Sequence, residues 1–92
     1  MRYSARFELK NATFIDLTTL WSEAERRGFT DVLLANDGRR FRMLPGDYNI
    51  TTQLDLATVH RMAKEAANAT GRPYAVIVSE APAQIWEGLD EI

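Results

Sequence analysis

Residues 2–9 alternate strictly. Tyr3, Ala5, Phe7 and Leu9 fall on one side, and Arg2, Ser4, Arg6 and Glu8 on the other. A two-residue period of this kind is that of a half-buried strand, so the rest of the chain has to cover one of its faces. Two helical stretches are available to do so. After a turn at Asn11-Ala12, Thr13 stands as an N-cap with Asp16 in the capping-box position, and Phe14, Leu17, Leu20, Trp21 and Ala24 recur at helical spacing. Gly28 closes this helix, expected over residues 14–27, with Trp21 in the core. Asp55 caps a second helix, whose stripe is Leu56, Val59, Ala63, Ala66 and Ala67, bordered by Met62 and ended by Gly71.

Between the helices, residues 30–36 read as a short apolar strand. Asn36-Asp37-Gly38 is a turn, and Arg39 to Leu44 return as the hairpin partner. Pro45-Gly46-Asp47 turns again. Residues 48–52 either form a separate strand or continue the returning one after a bulge. Pro73 opens a last strand, residues 74–79. The order β-α-β-β-α-β predicts an α+β, ferredoxin-like sandwich over residues 1–80, an antiparallel sheet with both helices on one face and the other face open. Residues 81–92 form an acidic tail with Trp86 packing it back onto the domain.

At 92 residues the chain is one domain's length. It has no cysteine, which excludes disulfides, thiolate chemistry and Cys-based zinc sites, and its single histidine excludes a His-rich metal cluster. No run approaches the ~18 apolar residues of a membrane span. The N-terminal segment lacks an apolar signal core, so a cytoplasmic location is expected, with no membrane partner. Formal charge is −2, which is not that of a bulk polycation. Charge is unevenly placed, however. Residues 80–92 hold Glu80, Glu87, Asp90 and Glu91 with no Lys or Arg, which leaves a slight basic excess in the body.

Nine of the eleven basic residues are arginines, the side chain suited to bidentate phosphate contact. Arg39, Arg40 and Arg42 cluster on the returning hairpin strand, and Arg27 lies at the end of the first helix. These four are the candidate RNA-binding residues. Arg6 on the open face and Arg26 are placed to stabilise charge at a scissile phosphate, with Glu8 or His60 as base or acid. Simpler roles are available to the same residues. Arg26 and Arg27 suit a helix C-terminus, Arg6 suits a cross-strand ion pair, and His60 suits a helix surface. Glu8, Asp37 or Asp47 could hold magnesium, but Asp37 and Asp47 also read as turn formers, and no metal or other cofactor is implied by spacing.

The chain as a whole resembles the GhoS family, antitoxins of type V toxin–antitoxin systems. The resemblance rests on residues 3–9, on Arg27-Gly28-Phe29, and on Asn36-Asp37-Gly38. It continues through Leu44-Pro45 before Tyr48, the helix over 56–70, Thr70-Gly71-Arg72, residues 74–78 and Trp86-Glu87-Gly88-Leu89. It implies a ferredoxin-like fold similar to CRISPR adaptation nucleases, and endoribonuclease activity on the messenger RNA of a small membrane toxin. The family's first-helix basic residues fall near Thr19 and Trp21 here, so the hairpin arginines are the cations available. Cleavage by such groups is either metal-free transesterification or magnesium-assisted hydrolysis. The alternative is a non-catalytic protein-interaction module of phage or mobile-element origin, monomeric or homodimeric. Its open sheet face, an edge strand or the tail around Trp86 would make the contact.

Overall fold

Strand β1 (Arg2–Leu9) lies at the centre of a three-stranded sheet in a computed structural model that describes residues 1–92. On its flanks run β4 (Asp47–Thr51) and β5 (Tyr74–Glu80), both antiparallel to it, in the order β4-β1-β5. The alternation does what its period requires. Tyr3, Ala5 and Phe7 are buried, Tyr3 faces Ile50, and Ala5 faces Tyr48 on β4 and Val78 on β5. Helices α1 (Phe14–Arg26) and α2 (Leu56–Asn68) both contribute to the cluster on this side. Leu20 and Ala24 come from α1, and Val59, Ala63, Ala66 and Ala67 from α2. The alanines carry no bulk beyond Cβ, so helix and sheet backbones approach closely. Phe29 fills the centre, edge-on to Phe7 at 6.5 Å between ring centroids.

The architecture is α+β, but the strands do not form one sheet. β2 (Val32–Leu34) and β3 (Arg40–Arg42) pair with each other as a two-stranded ribbon separate from the main sheet, and β3 also bridges to the tail at Phe41–Glu91. Residues 48–52, left open between two readings, resolve as part of a separate strand beside β1. The Leu44–Asp47 turn sends the chain out of the ribbon and into the main sheet. Asp47 N–H donates to the Leu44 carbonyl at 3.0 Å, and Gly46 accepts from Phe7 N–H at 2.8 Å. Of the segment expected as a strand over 30–36, only Thr30 touches the main sheet. It exchanges two 2.8 Å backbone bonds with Asn49.

Both helix starts are capped as their residues dictate. The Thr13 side chain accepts from Asp16 N–H, and Asp16 accepts from Thr13 N–H, which completes the capping box. Asp16 also accepts from Arg72 Nε at 2.7 Å, tying the loop before β5 to the start of α1. The Thr13 N–H first, and Arg72 next, hold the Asp16 carboxyl below the usual carboxylate range. A depressed folded-state pKa adds stability above the unfolded value and loses it as pH falls through the folded one. Glu23, Asp37 and Asp55 are depressed in the same direction by Arg27, by the Arg39 N–H and by Thr58. Stability is therefore expected to hold from neutral pH down to the ordinary carboxylate range and to fall below it. Asp16→Asn should flatten that acid limb, as read by urea midpoints across a pH series.

Candidate functional site

The arginines singled out in the sequence are mostly met by carboxylates. On the ribbon, Arg42 Nη1 donates to both Asp31 oxygens at 2.9 and 2.8 Å. Arg39 Nε reaches Asp37 at 2.8 Å, its Nη1 lies 3.8 Å from Glu91, and its guanidinium sits over the Phe41 ring. Arg40 is the one of the three with no side-chain partner. At the end of α1, Glu23 takes Arg26 at 2.9 Å and Arg27 at 2.7 Å. Arg6 pairs with Asp47 across the β1–β4 ladder at 3.0 Å. Exposed pairs like these add little stability, but each cancels the field that would draw a phosphate.

The candidate acid and base stand apart. Glu8 lies on the helix-free side of β1, with Lys10 as its nearest charge at 3.6 Å. His60 is exposed on α2, which packs on the opposite side of the sheet. The sheet itself separates them, so they cannot act on one bond. No group of three or more His, Asp or Glu side chains comes together to hold a metal ion. No helix is long and apolar enough to cross a membrane.

The helix-free face is partly overlaid by the tail. Arg2 Nε donates to Ala81 O at 2.7 Å, and Ala81 N–H returns a bond to Arg2 O. Asn49, the one buried polar residue, donates from Nδ2 to Gln84 at 2.7 Å. The tail then crosses to the ribbon. Trp86 stacks edge-on against Phe41 at 5.8 Å, Arg42 N–H donates to Asp90 O, and Ile92 N–H to Arg40 O. Trp86 is thus half-buried against the ribbon, where it lines the depressions beside the tail.

Large apolar side chains stand in water on the tail at Ile85, on the ribbon at Leu34 and in a run along α1. Phe14 is 83% exposed, Ile15 74%, Leu17 50% and Trp21 41%. Trp21 was expected in the core and is not there. At 100° per residue, Leu20 and Ala24 occupy one sector of the helix, and Leu17, Trp21 and Phe14 lie up to about 120° round from it. The close approach to the alanines of α2 admits only the first sector. Leu44, from the turn after the ribbon, is exposed next to Leu17 along the same flank. Phe14, Ile15, Thr18, Thr19, Ser22 and Glu23 line a shallow depression of about 380 Å³. The Thr18 and Thr19 hydroxyls donate to the Phe14 and Ile15 carbonyls at 3.0 Å, so they demand no hydrogen bond from a partner.

The helical spacing of Phe14, Leu17, Leu20, Trp21 and Ala24 points to a single stripe with Trp21 in the core, and Ile15 stands outside it. The available signal was its width: Phe14, Ile15, Leu17 and Trp21 add more bulk than a two-residue seam of Leu20 and Ala24 can use. No protein-family model matches the chain, and no curated protein matches it.

Proposed function

We propose that this chain is a non-catalytic protein-interaction domain, with the outer face of α1 as its contact surface. The observation that carries this reading is the run of large apolar side chains left in water along one helix. Phe14, Leu17, Trp21 and Leu44 together expose on the order of 400–500 Å² of apolar surface, within the range of the largest patches on monomeric proteins, which are often binding sites. Aromatic residues in such a patch are the usual anchors of an interface. The architectural plan we infer is ferredoxin-like βαββαβ. In support, β4 and β5 flank β1 antiparallel, and the Thr30–Asn49 pairing stands where an outer strand would run. The ribbon is then an elaboration of the central hairpin.

The endoribonuclease reading has less to draw on, because Arg39 and Arg42 are paired and Glu8 and His60 lie in different layers. The two readings separate in one experiment. A photoreactive benzoylphenylalanine is placed at position 14, and a second version carries it at position 61 on the outer face of α2. Irradiation in cells should yield a protein adduct from position 14 and none from position 61. Adducts from both positions, or none, would remove the interaction reading. An adduct with RNA, or cleavage of RNA by purified protein with or without EDTA, would restore the nuclease.

A further inference from the structure

The tail is fastened to the main sheet and to the ribbon, but not in between. Its first part is anchored by Arg2, which exchanges two bonds with Ala81, and by the reciprocal Asn49–Gln84 amide pair. From Ile85 to Leu89 the backbone makes no hydrogen bond, and the Ile85 side chain is fully exposed. Depressions of about 500 and 510 Å³ both reach Trp86, so the packing round this span is incomplete. Beyond it, residues 90–92 run extended along the outer edge of β3. Arg42 N–H donates to Asp90 O and Ile92 N–H to Arg40 O, both at 2.9 Å, with Phe41 opposite Glu91. Trp86 meets the Phe41 ring edge-on, and Arg39 Nη1 lies 3.8 Å from Glu91. Contacts so few and so open to water mark a segment that detaches locally before the rest of a fold does.

We propose that the outer edge of β3 is a docking site for an extended acidic peptide of a partner protein, and that residues 85–92 are a strap that closes it. The site is separate from the α1 face and does not depend on it. The tail itself displays what fits. The edge offers the Arg42 N–H and the Arg40 carbonyl to an added strand. The Phe41 ring takes an aromatic side chain, and Arg39 takes a carboxylate further along, as Trp86 and Glu91 stand in the tail. Arg39 is also held by Asp37 and Arg42 by Asp31, and Arg40 lines a groove with Glu25. The edge therefore reads one carboxylate in a defined place and does not attract a polyanion. Detachment after Gln84 leaves the Asn49–Gln84 pair intact. Arg40 and Arg42 are exposed, so water replaces the strap's two backbone bonds. A strap on so short a tether competes at high effective concentration, and a partner peptide binds in proportion to the open fraction.

The chain has no cysteine, so the strap can be fixed in place by an engineered pair. Arg40 and Ile92 are joined by a 2.9 Å backbone bond, and antiparallel partners of this kind stand about 5.5 Å apart at Cα, within disulfide reach. The double variant Arg40→Cys, Ile92→Cys keeps Arg39, Phe41, Trp86 and Glu91. The probe is a fluorescein-labelled peptide with the sequence of residues 85–92, read by anisotropy against the full-length chain. The reduced double variant should bind it, and oxidation to the intramolecular disulfide should weaken binding by roughly tenfold or more. The same peptide carrying Glu91→Lys should bind the reduced form several-fold more weakly, because it faces Arg39. In the otherwise natural chain, Trp86→Ala should tighten peptide binding roughly tenfold, since it loosens the strap and leaves the edge intact. Equal binding to the oxidised and reduced forms would overturn the proposal. So would no gain from Trp86→Ala, or no binding to the reduced form up to millimolar peptide. Oxidation that gives covalent dimers in place of the intramolecular disulfide would assign the edge to the tail of a second copy and reject the partner peptide.

Discussion

Gly46→Ala is expected to destabilise the fold by on the order of 4 kcal/mol, a large share of the ~5–15 kcal/mol that holds a domain of this size together. Gly46 has φ +82°, and a Cβ there would sit 2.5 Å from the Phe7 carbonyl oxygen. That oxygen belongs to the central strand and cannot move aside. The Gly46 carbonyl accepts the Phe7 N–H at 2.8 Å, so pushing the turn outward breaks this bond as well. The turn has Pro45 at its second position and a positive φ at its third, the pattern of a type II turn. Gly38→Ala is the control. It has a similar φ of +89° but nothing within 4 Å of the added atom, so it should cost only the backbone term, about 1 kcal/mol. Urea denaturation should show a large drop in midpoint for the first variant and a small one for the second. Similar drops for the two would show that the contact with Phe7 is not what constrains the turn.

Phe29→Ala should cost about 3–5 kcal/mol, the range for emptying a fully buried phenylalanine site. Phe29 is 2% exposed and stands edge-on to Phe7, which in turn stands edge-on to Tyr48 at 5.6 Å. Loss of the ring leaves a hole between α1, β1 and β4 that rigid strands cannot close. Burial first, and the charge of Asp31 second, push the Tyr48 phenol up to about 12. A raised folded-state pKa adds stability below the ordinary value of 10 and loses it as pH climbs toward 12. A Phe29→Ala protein that remains folded should let water reach Tyr48 and bring its titration, followed by phenolate absorbance, back toward the ordinary value. An unchanged titration together with an unchanged urea midpoint would mean that Phe29 does not seal this part of the core.

Phe14→Glu, by contrast, is expected to leave the urea midpoint almost unchanged, because the Phe14 ring is 83% exposed. The difference from Phe29 lies wholly in position, since both are phenylalanines within helical reach of the same sheet. That contrast marks the boundary between what residue order could disclose and what it could not.

The elements and their ends were legible because they are set over a few residues. The period of Arg2–Leu9, the reciprocal Thr13–Asp16 cap, the Asp55 cap and the glycine after α1 each act within about one turn of chain. Those signals suffice for an α+β order with two helices against β1. Three matters were settled only when distant segments met. Residues 47–51 joined β1 and left the ribbon on its own, because backbone ladders form between strands far apart in sequence. The arginines read as a free cationic cluster found carboxylates, among them Arg42 on Asp31 and Arg6 on Asp47, whose partners no local pattern names. And α1 turned Leu20 and Ala24 inward, leaving Phe14 and Trp21 outside, because alanine-lined helices pack too closely to admit a second row of large side chains.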